Sequence, residues 1–268
     1  MFDPRSIRKG VKNSPRKIVI YGPPKIGKSS LASVIPGALM IPTEDRVNHI
    51  NCEKTEIIKS YDELIDIFEY LMSGTTYRTV VIDTIDWLEP MIWDYICRKK
   101  GFNSLVEDRN KEVNFGKGLK YHAVEGWRNF LDNCDILREQ TGMSIVLVAH
   151  SQVEKIDPPD SEGYDRYNLD IDKHAASVVF EWADIVGFYS REIIVSKEDQ
   201  GFGKKKGKVV DLKDDRRILN LQSTSPAWIS GNSYELPDCV VTMQDAPAIM
   251  AMILNQEEKP KTKTKKGE

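Results

Sequence analysis

The sequence predicts an α/β domain in which a mainly parallel sheet lies between layers of helices and continues into a C-terminal antiparallel extension. Short apolar, strand-like runs alternate with segments of helical periodicity as far as residue 189. From residue 193 onward the short runs follow one another with only turns between them, which is typical of antiparallel pairing. A glycine-rich loop separates the first strand, residues 18–21, from the first helix and is the strongest single signal in the chain.

This loop, residues 22–29, is Gly-Pro-Pro-Lys-Ile-Gly-Lys-Ser and matches the pattern G-x-x-x-x-G-K-[ST] in full. Its glycines let the backbone curl so that successive N–H groups point inward at phosphates. We expect Lys28 to reach the β- and γ-phosphates of a nucleotide and the Ser29 hydroxyl to bind Mg²⁺. A chance glycine turn is the alternative, but strand, loop and helix occur in the required order. The predicted nucleotide-binding residues are Gly22, Pro23, Pro24, Lys25, Ile26, Gly27, Lys28, Ser29 and Ser30.

Composition excludes several other classes of protein. The 268 residues fit one generous α/β domain, and a net charge of -3 excludes a globally basic nucleic-acid coat but not a local basic track. Four cysteines and four histidines are scattered without a C-x-x-C pair, so neither a disulfide framework nor a zinc site is expected. No apolar run approaches the roughly 18 residues of a membrane span. We therefore expect a cytoplasmic protein without membrane contact.

Glu44 follows a second predicted buried strand, residues 38–41. In open parallel sheets ligands bind at the carboxyl ends of the strands, so Glu44 is a candidate general base for the attacking water. The ordinary alternative is an acid that only caps the next turn.

Asp83 ends a β-branched run, residues 79–82. At that position it is expected to hold a water on the Mg²⁺ that Ser29 also binds. Many ATPases place a glutamate directly after this aspartate, but here the neighbour is Thr84. The base must come from elsewhere, which favours Glu44 over Asp86 or Glu89.

Another predicted buried strand, residues 144–149, ends in His150-Ser151-Gln152. A polar side chain at such a strand end can detect the γ-phosphate, and His150 or Gln152 is a candidate for this role. A histidine whose hydrogen bonds are simply satisfied is the commoner case.

Two segments are candidates for contact with nucleic acid. Residues 98–120 are basic and contain glycines, which predicts a flexible segment that tracks a phosphate backbone or a merely solvated loop. Residues 153–173 are predicted to be an irregular loop in which aromatic and arginine side chains stack on unpaired bases, although surrounding acids oppose a phosphate backbone. The candidate side chains are Lys111, Lys117, Lys120, Tyr164, Arg166 and Tyr167.

Arg216 and Arg217 precede the last short strand of the antiparallel extension, and either could act across a subunit boundary as an arginine finger. Surface arginines on an edge strand are the commoner case. The remaining predicted parts are a basic N-terminal arm (1–16), an ATPase core with its hairpin extension (17–243), a terminal helix (244–256) and a disordered basic tail (257–268).

Together these motifs resemble the short RecA-like ATPases of phages and prophages that are linked to single-strand annealing and homologous recombination. The resemblance covers about residues 15–240. Its first two motifs, the phosphate loop and the Asp83 strand, are shared by very many P-loop ATPases, whereas the later ones are more particular. The matching features are Gly-Pro-Pro-Lys-x-Gly-Lys-Ser, Val81 to Thr84, Phe115-Gly116-Lys117-Gly118, Val148 to His150 and Val178 to Gly187.

The resemblance implies a RecA-like αβα sandwich, ATP with Mg²⁺ as the bound nucleotide, and Glu44 as catalytic base. It also implies that His150 with Gln152 couples the γ-phosphate to DNA-facing loops at 101–118 and 153–172. The implied partners are single-stranded DNA, further copies of the chain in a ring or filament, and a phage single-strand binding protein.

One departure concerns action across subunits. Where the family has a basic pair after the segment near Ser225 to Trp228, this chain has Ser230-Gly231-Asn232-Ser233. That leaves Arg216, Arg217 or the lysines at 204–206 as substitutes and predicts slow hydrolysis.

The predicted function is ATP-modulated binding to single-stranded DNA in phage recombination or strand annealing, with ATP hydrolysis. An ATP-dependent switch that binds a replication or packaging protein is the second possibility. A small-molecule kinase ranks third, because no arginine-rich lid is evident.

Overall fold

The computed structural model describes residues 3, 9, 14–106, 110–159, 162–199, 205–211 and 216–256. As far as residue 150 its helices and strands alternate in the order that the sequence predicts. In chain order they are β1 (Lys17–Gly22), α1 (Lys28–Ser33), β2 (Ala38–Pro42), α2 (Tyr61–Met72), β3 (Thr79–Asp83), α3 (Ile85–Lys100), a π-helical turn (Gly118–Ala123), α4 (Val124–Thr141), β4 (Ser144–Ile156), β5 (Tyr164–Leu169), α5 (Lys173–Trp182), β6 (Ile185–Arg191), β7 (Ile193–Asp199), β8 (Lys205–Asp211), β9 (Arg217–Asn220), β10 (Gly231–Asn232), β11 (Cys239–Val241) and α6 (Ala246–Ile253).

The central sheet has the strand order β11-β9-β6-β1-β4-β3-β2. The five strands from β6 to β2 are parallel to their neighbours, whereas β9 and β11 are antiparallel additions at one edge. This arrangement confirms the predicted mainly parallel sheet with an antiparallel extension. Strand β4 lies between β1 and β3, so the register places Gly22 opposite His150, and Val148 opposite Asp83. The phosphate loop and the tips of β3 and β4 therefore share one edge of the sheet.

Helices cover both faces of the sheet, and the alternation of side chains along each strand supplies an apolar surface to each. Val19 and Tyr21 of β1 face the layer formed by α2 to α5. Ile18 and Ile20 face the opposite layer, which contains α1 and α6. The predicted αβα sandwich is confirmed, and α6, at residues predicted to form a terminal helix, contributes buried Met250 to this second layer.

The region predicted as an irregular loop, residues 153–173, is instead largely an antiparallel hairpin, so that prediction was wrong. Strand β4 continues to Ile156 and pairs with β5, with Val153 opposite Tyr167. Both strands alternate between exposed and half-buried side chains here, because the hairpin extends beyond the sheet. Sequence patterns reveal such two-sided polar strands poorly, since neither face carries a continuous apolar row.

The basic segment 98–120 is more ordered than predicted. Helix α3 runs through Lys100 and ends at Gly101, whose φ of 72° allows the chain to turn back. A small apolar cluster that includes buried Leu105 and Val113 then anchors the following loop. Phe115, in contrast, is fully exposed and has a φ of 59°.

Several predicted features lie outside the described residues. These are most of the N-terminal arm, Lys204 and the side chains of the lysines at 205 and 206, and the tail from 257 onward. Within the described part of the chain, no helix combines the length and apolar character needed to cross a bilayer.

Candidate functional site

The phosphate loop connects β1 to α1 through a backbone that few residue types can adopt. Gly27 has a φ of 101° and Lys25 a φ of 62°, so the chain curls into the left-handed region twice within three residues. Gly22 lies so close to the carbonyl oxygen of Tyr189 that a Cβ atom there would overlap it. The glycine spacing that predicted the loop thus reflects both its curl and its packing against β6.

Lys28, the first residue of α1, is 5% exposed. Its Nζ donates hydrogen bonds to the carbonyl oxygens of Gly22 at 2.9 Å and Pro23 at 3.0 Å. Burial lowers the pKa of Lys28 to about 8, while the nearby carboxylates of Asp86 and Asp83 oppose this change. The ammonium group is therefore held inside the loop, where phosphate oxygens could replace its neutral carbonyl acceptors.

Asp83 supplies the strongest sign of a cation site. It is 1% exposed, and neither carboxylate oxygen has a hydrogen-bond partner at normal geometry among the described residues. Burial raises the pKa of Asp83 to about 6, although the nearby Ser29 hydroxyl lowers it. A buried carboxylate without a partner is costly unless a cation or a proton satisfies it. Oxygen donors on Ser29 and Asp83 fit Mg²⁺, which keeps several waters and binds few protein ligands.

The tips of β2 and β3 are joined by a reciprocal contact that positions Glu44. The Thr43 hydroxyl accepts a hydrogen bond from Thr84 N and donates one to Thr84 O, both at 2.7 Å. Thr43 N also donates to Asp83 O at 2.9 Å. Glu44 follows directly, is 9% exposed, and forms an ion pair with Arg46 at 3.0 Å. Since Arg46 is largely exposed, it can move without disturbing the core.

His150 forms two contacts with one buried carboxylate. Its backbone N donates to Asp86 Oδ1 at 2.9 Å, and its ring Nδ1 lies 2.8 Å from Asp86 Oδ2. Burial alone would raise the pKa of Asp86, but the hydrogen bonds from His150 lower it below its ordinary value. The sequence favours Glu44 over Asp86 as the general base. The structure gives Asp86 a different relationship, as the partner of the predicted γ-phosphate sensor.

Gln152 does not join this group. Its amide Nε2 donates to the carbonyl oxygens of Leu169 at 2.8 Å and Ile171 at 3.0 Å. The side chain thereby ties β4 to the connection between β5 and α5. In the structure it links the sheet edge to the hairpin, and it does not line the cavity that His150 lines.

A cavity of about 530 Å³ brings the predicted phosphate-binding and catalytic residues together. Glu44, Lys28, Ser29 and His150 all contribute to its wall. Four further residues of the lining carried no predicted role: Arg46, His49 and Ile50, which no motif marks, and Thr84, which ends the Val81 to Thr84 motif. The complete lining is Lys25, Gly27, Lys28, Ser29, Ser30, Glu44, Arg46, His49, Ile50, Thr84 and His150.

The two arginines of the predicted finger have different positions. Arg217 reaches the phosphate loop of its own chain, where a Cβ atom on Gly27 would overlap Nη1 and lie 3.4 Å from Cζ. Arg216 is half-exposed and lies 3.5 Å from Glu192. Neighbouring residues of an extended strand point to opposite sides, so only one of the two can face the loop.

The candidate DNA-binding residues do not form one continuous group. Lys111, Lys117 and Lys120 are all exposed around the projecting Phe115. On β5, Arg166 lies 3.7 Å from Glu154. The exposed lysines can contact a phosphate backbone, whereas Arg166 already forms an ion pair with Glu154.

The β5 tyrosines occupy different environments. Tyr164 and Tyr167 lie three positions apart on the strand and therefore point to opposite faces. Tyr167 stacks on Phe188 with a centroid distance of 5.0 Å, and Phe188 stacks on Trp228 at 5.3 Å. Part of the aromatic surface expected for base stacking is thus already used within the molecule.

Comparison with known proteins agrees with this geometry. A family model described as an AAA domain matches residues 14–234, which is most of the chain and includes every residue that lines the cavity. Among curated proteins, none matches the chain. The chain therefore belongs to the AAA domain family of P-loop nucleotide-binding ATPases.

Proposed function

We propose that the protein binds and hydrolyses Mg-ATP and binds single-stranded DNA, in phage recombination or strand annealing. The observation that carries the nucleotide part is the buried carboxylate of Asp83, which has no hydrogen-bond partner at normal geometry among the described residues and lies near the Ser29 hydroxyl of the phosphate loop. A buried carboxylate in that position is stabilised by a bound cation, and the phosphate loop beside it is suited to binding a polyanion.

In this proposal the loop backbone and Lys28 bind the phosphates, and Ser29 and Asp83 hold Mg²⁺. The metal ion would supply neutralisation of the phosphoryl charge. Exchange of the two neutral carbonyl acceptors of Lys28 for β- and γ-phosphate oxygens would pair the ammonium group with acceptors of opposite charge, which strengthens both hydrogen bonds. Arg46, His49 and Ile50 of the cavity wall are proposed to contact the ribose and base.

Glu44 is proposed to orient the attacking water as general base. Its carboxylate lines the same cavity as Lys28 and His150. Arg46 forms an ion pair with this carboxylate at 3.0 Å and would have to move aside for a water to reach it. His150 would contact the γ-phosphate from the tip of β4, which lies between the strands that carry the loop and Asp83.

The DNA part of the proposal is supported by the loop around Phe115. Exposed lysines at 111, 117 and 120 flank Phe115 in the sequence, and Phe115 is fully exposed and has a left-handed backbone conformation. Such a conformation in a non-glycine residue costs of order 1–3 kcal/mol and is found preferentially at functional sites. A basic loop with a projecting ring is suited to a flexible strand, in which phosphates pair with lysines and bases stack on aromatic side chains.

The test is ATP hydrolysis with and without single-stranded DNA, together with the salt dependence of binding to a labelled oligonucleotide. Lys28→Ala should abolish hydrolysis and weaken ATP binding. Lys117→Ala combined with Lys120→Ala should weaken DNA binding and reduce the slope of log affinity against log salt by about 0.7 per lost phosphate contact. Lys59→Ala, at an exposed lysine before α2, is the matched control.

Two results would count against the proposal. Hydrolysis that survives Lys28→Ala would exclude the assigned nucleotide site. Hydrolysis indifferent to DNA, with no oligonucleotide binding at low salt, would instead favour the ATP-dependent switch that binds a replication or packaging protein.

A further inference from the structure

Arg217 occupies a position that its sequence context does not reveal. Strand β9 is antiparallel to β6, and Arg217 is its first residue, opposite Arg191. An antiparallel strand begins at the edge where the parallel strands end, which is the edge that carries the phosphate loop. The topology therefore brings the start of β9 to the nucleotide side of the sheet.

The guanidinium group of Arg217 lies against Gly27, as the overlap with a Cβ atom at that position shows. Gly27 directly precedes Lys28, whose ammonium group is buried within the same loop. Lys25 adds a third cationic side chain to the loop. A phosphate group bound by this loop could therefore meet cationic side chains both from the loop and from β9.

The neighbouring Arg216 offers a direct comparison. Its side chain is half-exposed and lies 3.5 Å from Glu192, so its charge is already balanced at the surface. The backbone of Arg217 is paired on both sides within the sheet, with Arg191 of β6 and Val241 of β11, and its side chain reaches Gly27 of the phosphate loop. A finger that serves a neighbouring subunit has to project away from its own chain, and Arg217 points to its own loop.

We infer that Arg217 contacts phosphate oxygens of the nucleotide bound by its own chain, and does not serve the site of a neighbouring subunit. This inference rests on the proposed ATP-binding function. Its chemistry is that of a planar donor whose N–H groups match phosphate oxygens, and it adds a positive charge to that of Lys28. The role is consistent with the absence of a basic pair after Trp228, because a contact within the chain needs no such pair.

The first experiment compares Arg217→Ala, Arg217→Lys and Arg216→Ala for the binding of ATP and for its hydrolysis. Arg217→Ala should weaken ATP binding about tenfold or more, the effect of losing a charged hydrogen-bond donor. Arg217→Lys should recover part of the loss, because charge remains while the fork geometry does not. Arg216→Ala should stay within about twofold of the wild type, since its side chain is a surface ion pair.

The second experiment decides between action within a chain and action between chains. Arg217→Ala protein is mixed with Lys28→Ala protein, and ATP hydrolysis of the mixture is measured. A residue that acts within its own chain gives no recovery, because neither protein contains a complete site. Recovery would overturn the inference, since it would show that the Arg217 of one chain serves the Lys28 site of another.

Two measurements distinguish a variant that does not fold, or a wrong proposed function, from a wrong inference about Arg217. Thermal unfolding of the nucleotide-free variants shows whether each one folds. If Arg217→Ala does not fold, Arg217→Lys still tests the inference. Wild-type protein that binds no ATP would overturn the proposed function together with the inference. Wild-type protein that binds ATP, with equally tight binding by Arg217→Ala, would overturn the inference alone.

Discussion

The imidazole of His150 is held by Asp86 through two contacts, one from the ring Nδ1 at 2.8 Å and one from the backbone N at 2.9 Å. Because Nδ1 faces the carboxylate, the ring can present Nε2 to the cavity that Lys28 also lines. Asp86 itself is largely buried and does not line that cavity. Asp86 therefore positions the imidazole ring, and His150 presents that ring to the cavity.

Asp86→Asn should lower the rate of ATP hydrolysis roughly tenfold while changing ATP affinity little, because the amide disfavours the ring orientation that the carboxylate fixes. His150→Ala should lower the rate by at least as much. The double variant should be no slower than His150→Ala alone, since the two residues act as one unit. Steady-state kinetics of the three variants would check this.

A different ranking would identify a different role. If Asp86→Asn is slow while His150→Ala hydrolyses ATP normally, Asp86 acts on its own and the positioning role is wrong. Nitrogen chemical shifts of the His150 ring in the Asp86→Asn variant provide an independent measurement of the change in tautomer.

Glu44→Gln should reduce ATP hydrolysis by about two to four orders of magnitude, which is the usual contribution of a general base. The binding of ATP should remain, because the amide has nearly the same shape and Lys28 is unchanged. Single-turnover kinetics together with equilibrium binding separate the two effects. Asp45→Asn is the matched control, since that neighbouring carboxylate is exposed and does not line the cavity. Wild-type hydrolysis by Glu44→Gln would move the role of base to His150.

The features predicted well from the sequence are those whose signal is local. The phosphate loop depends on residues 22–29, and Asp83 directly ends a β-branched strand. Each buried strand is a continuous apolar run because the parallel sheet is covered on both faces. For these elements a short stretch of sequence determines the local structure, so their order along the chain could be predicted.

The features that were missed depend on pairing between distant residues. Asp86 and His150 are 64 positions apart, and no spacing rule connects them. Arg216 and Arg217 are adjacent in sequence, and only the register of β9 against β6 decides which one faces the loop. The polar hairpin formed by residues 151–169 was missed for a related reason, since its backbone pairing leaves no apolar pattern in the sequence.

Gly126 allows α4 to pack closely on α3, and Gly126→Ala should destabilise the protein. A Cβ atom there would lie 2.6 Å from Ile92 Cγ2 and 2.9 Å from Ile96 Cγ1. Alanine normally stabilises a helix by about 1 kcal/mol relative to glycine, but overpacking costs typically 1–3 kcal/mol. We expect a net decrease in the free energy of unfolding, measured by denaturant titration.

The control for this change lies on the same helix. Gln140 is exposed, so Gln140→Ala should change the free energy of unfolding by no more than about 0.5 kcal/mol. A more stable Gly126→Ala protein would show that the contact between α3 and α4 has room for a methyl group.

Glu89 is a buried acid that connects three helices. It is 7% exposed, accepts a hydrogen bond from Trp127 Nε1 of α4 at 3.1 Å, and accepts one from Asp172 N at 3.1 Å at the start of α5. Burial raises the pKa of Glu89 from 4.5 to about 7, and the hydrogen bonds offset only part of that effect. The folded protein therefore favours the protonated acid.

Because the folded state binds a proton more tightly than the unfolded state, the contribution of Glu89 to stability falls as pH rises from about 4.5 to about 7. Glu89→Gln resembles the protonated acid, so its stability relative to the wild type should increase over that range by on the order of 3 kcal/mol at most. Denaturant unfolding at pH 5 and pH 8 measures the difference. Glu125→Gln is the control with the opposite sign, since the Lys100 ammonium lowers the pKa of Glu125 and that acid favours its charged form when folded. A Glu89→Gln protein whose relative stability does not change with pH would show that Glu89 is ionised at no cost.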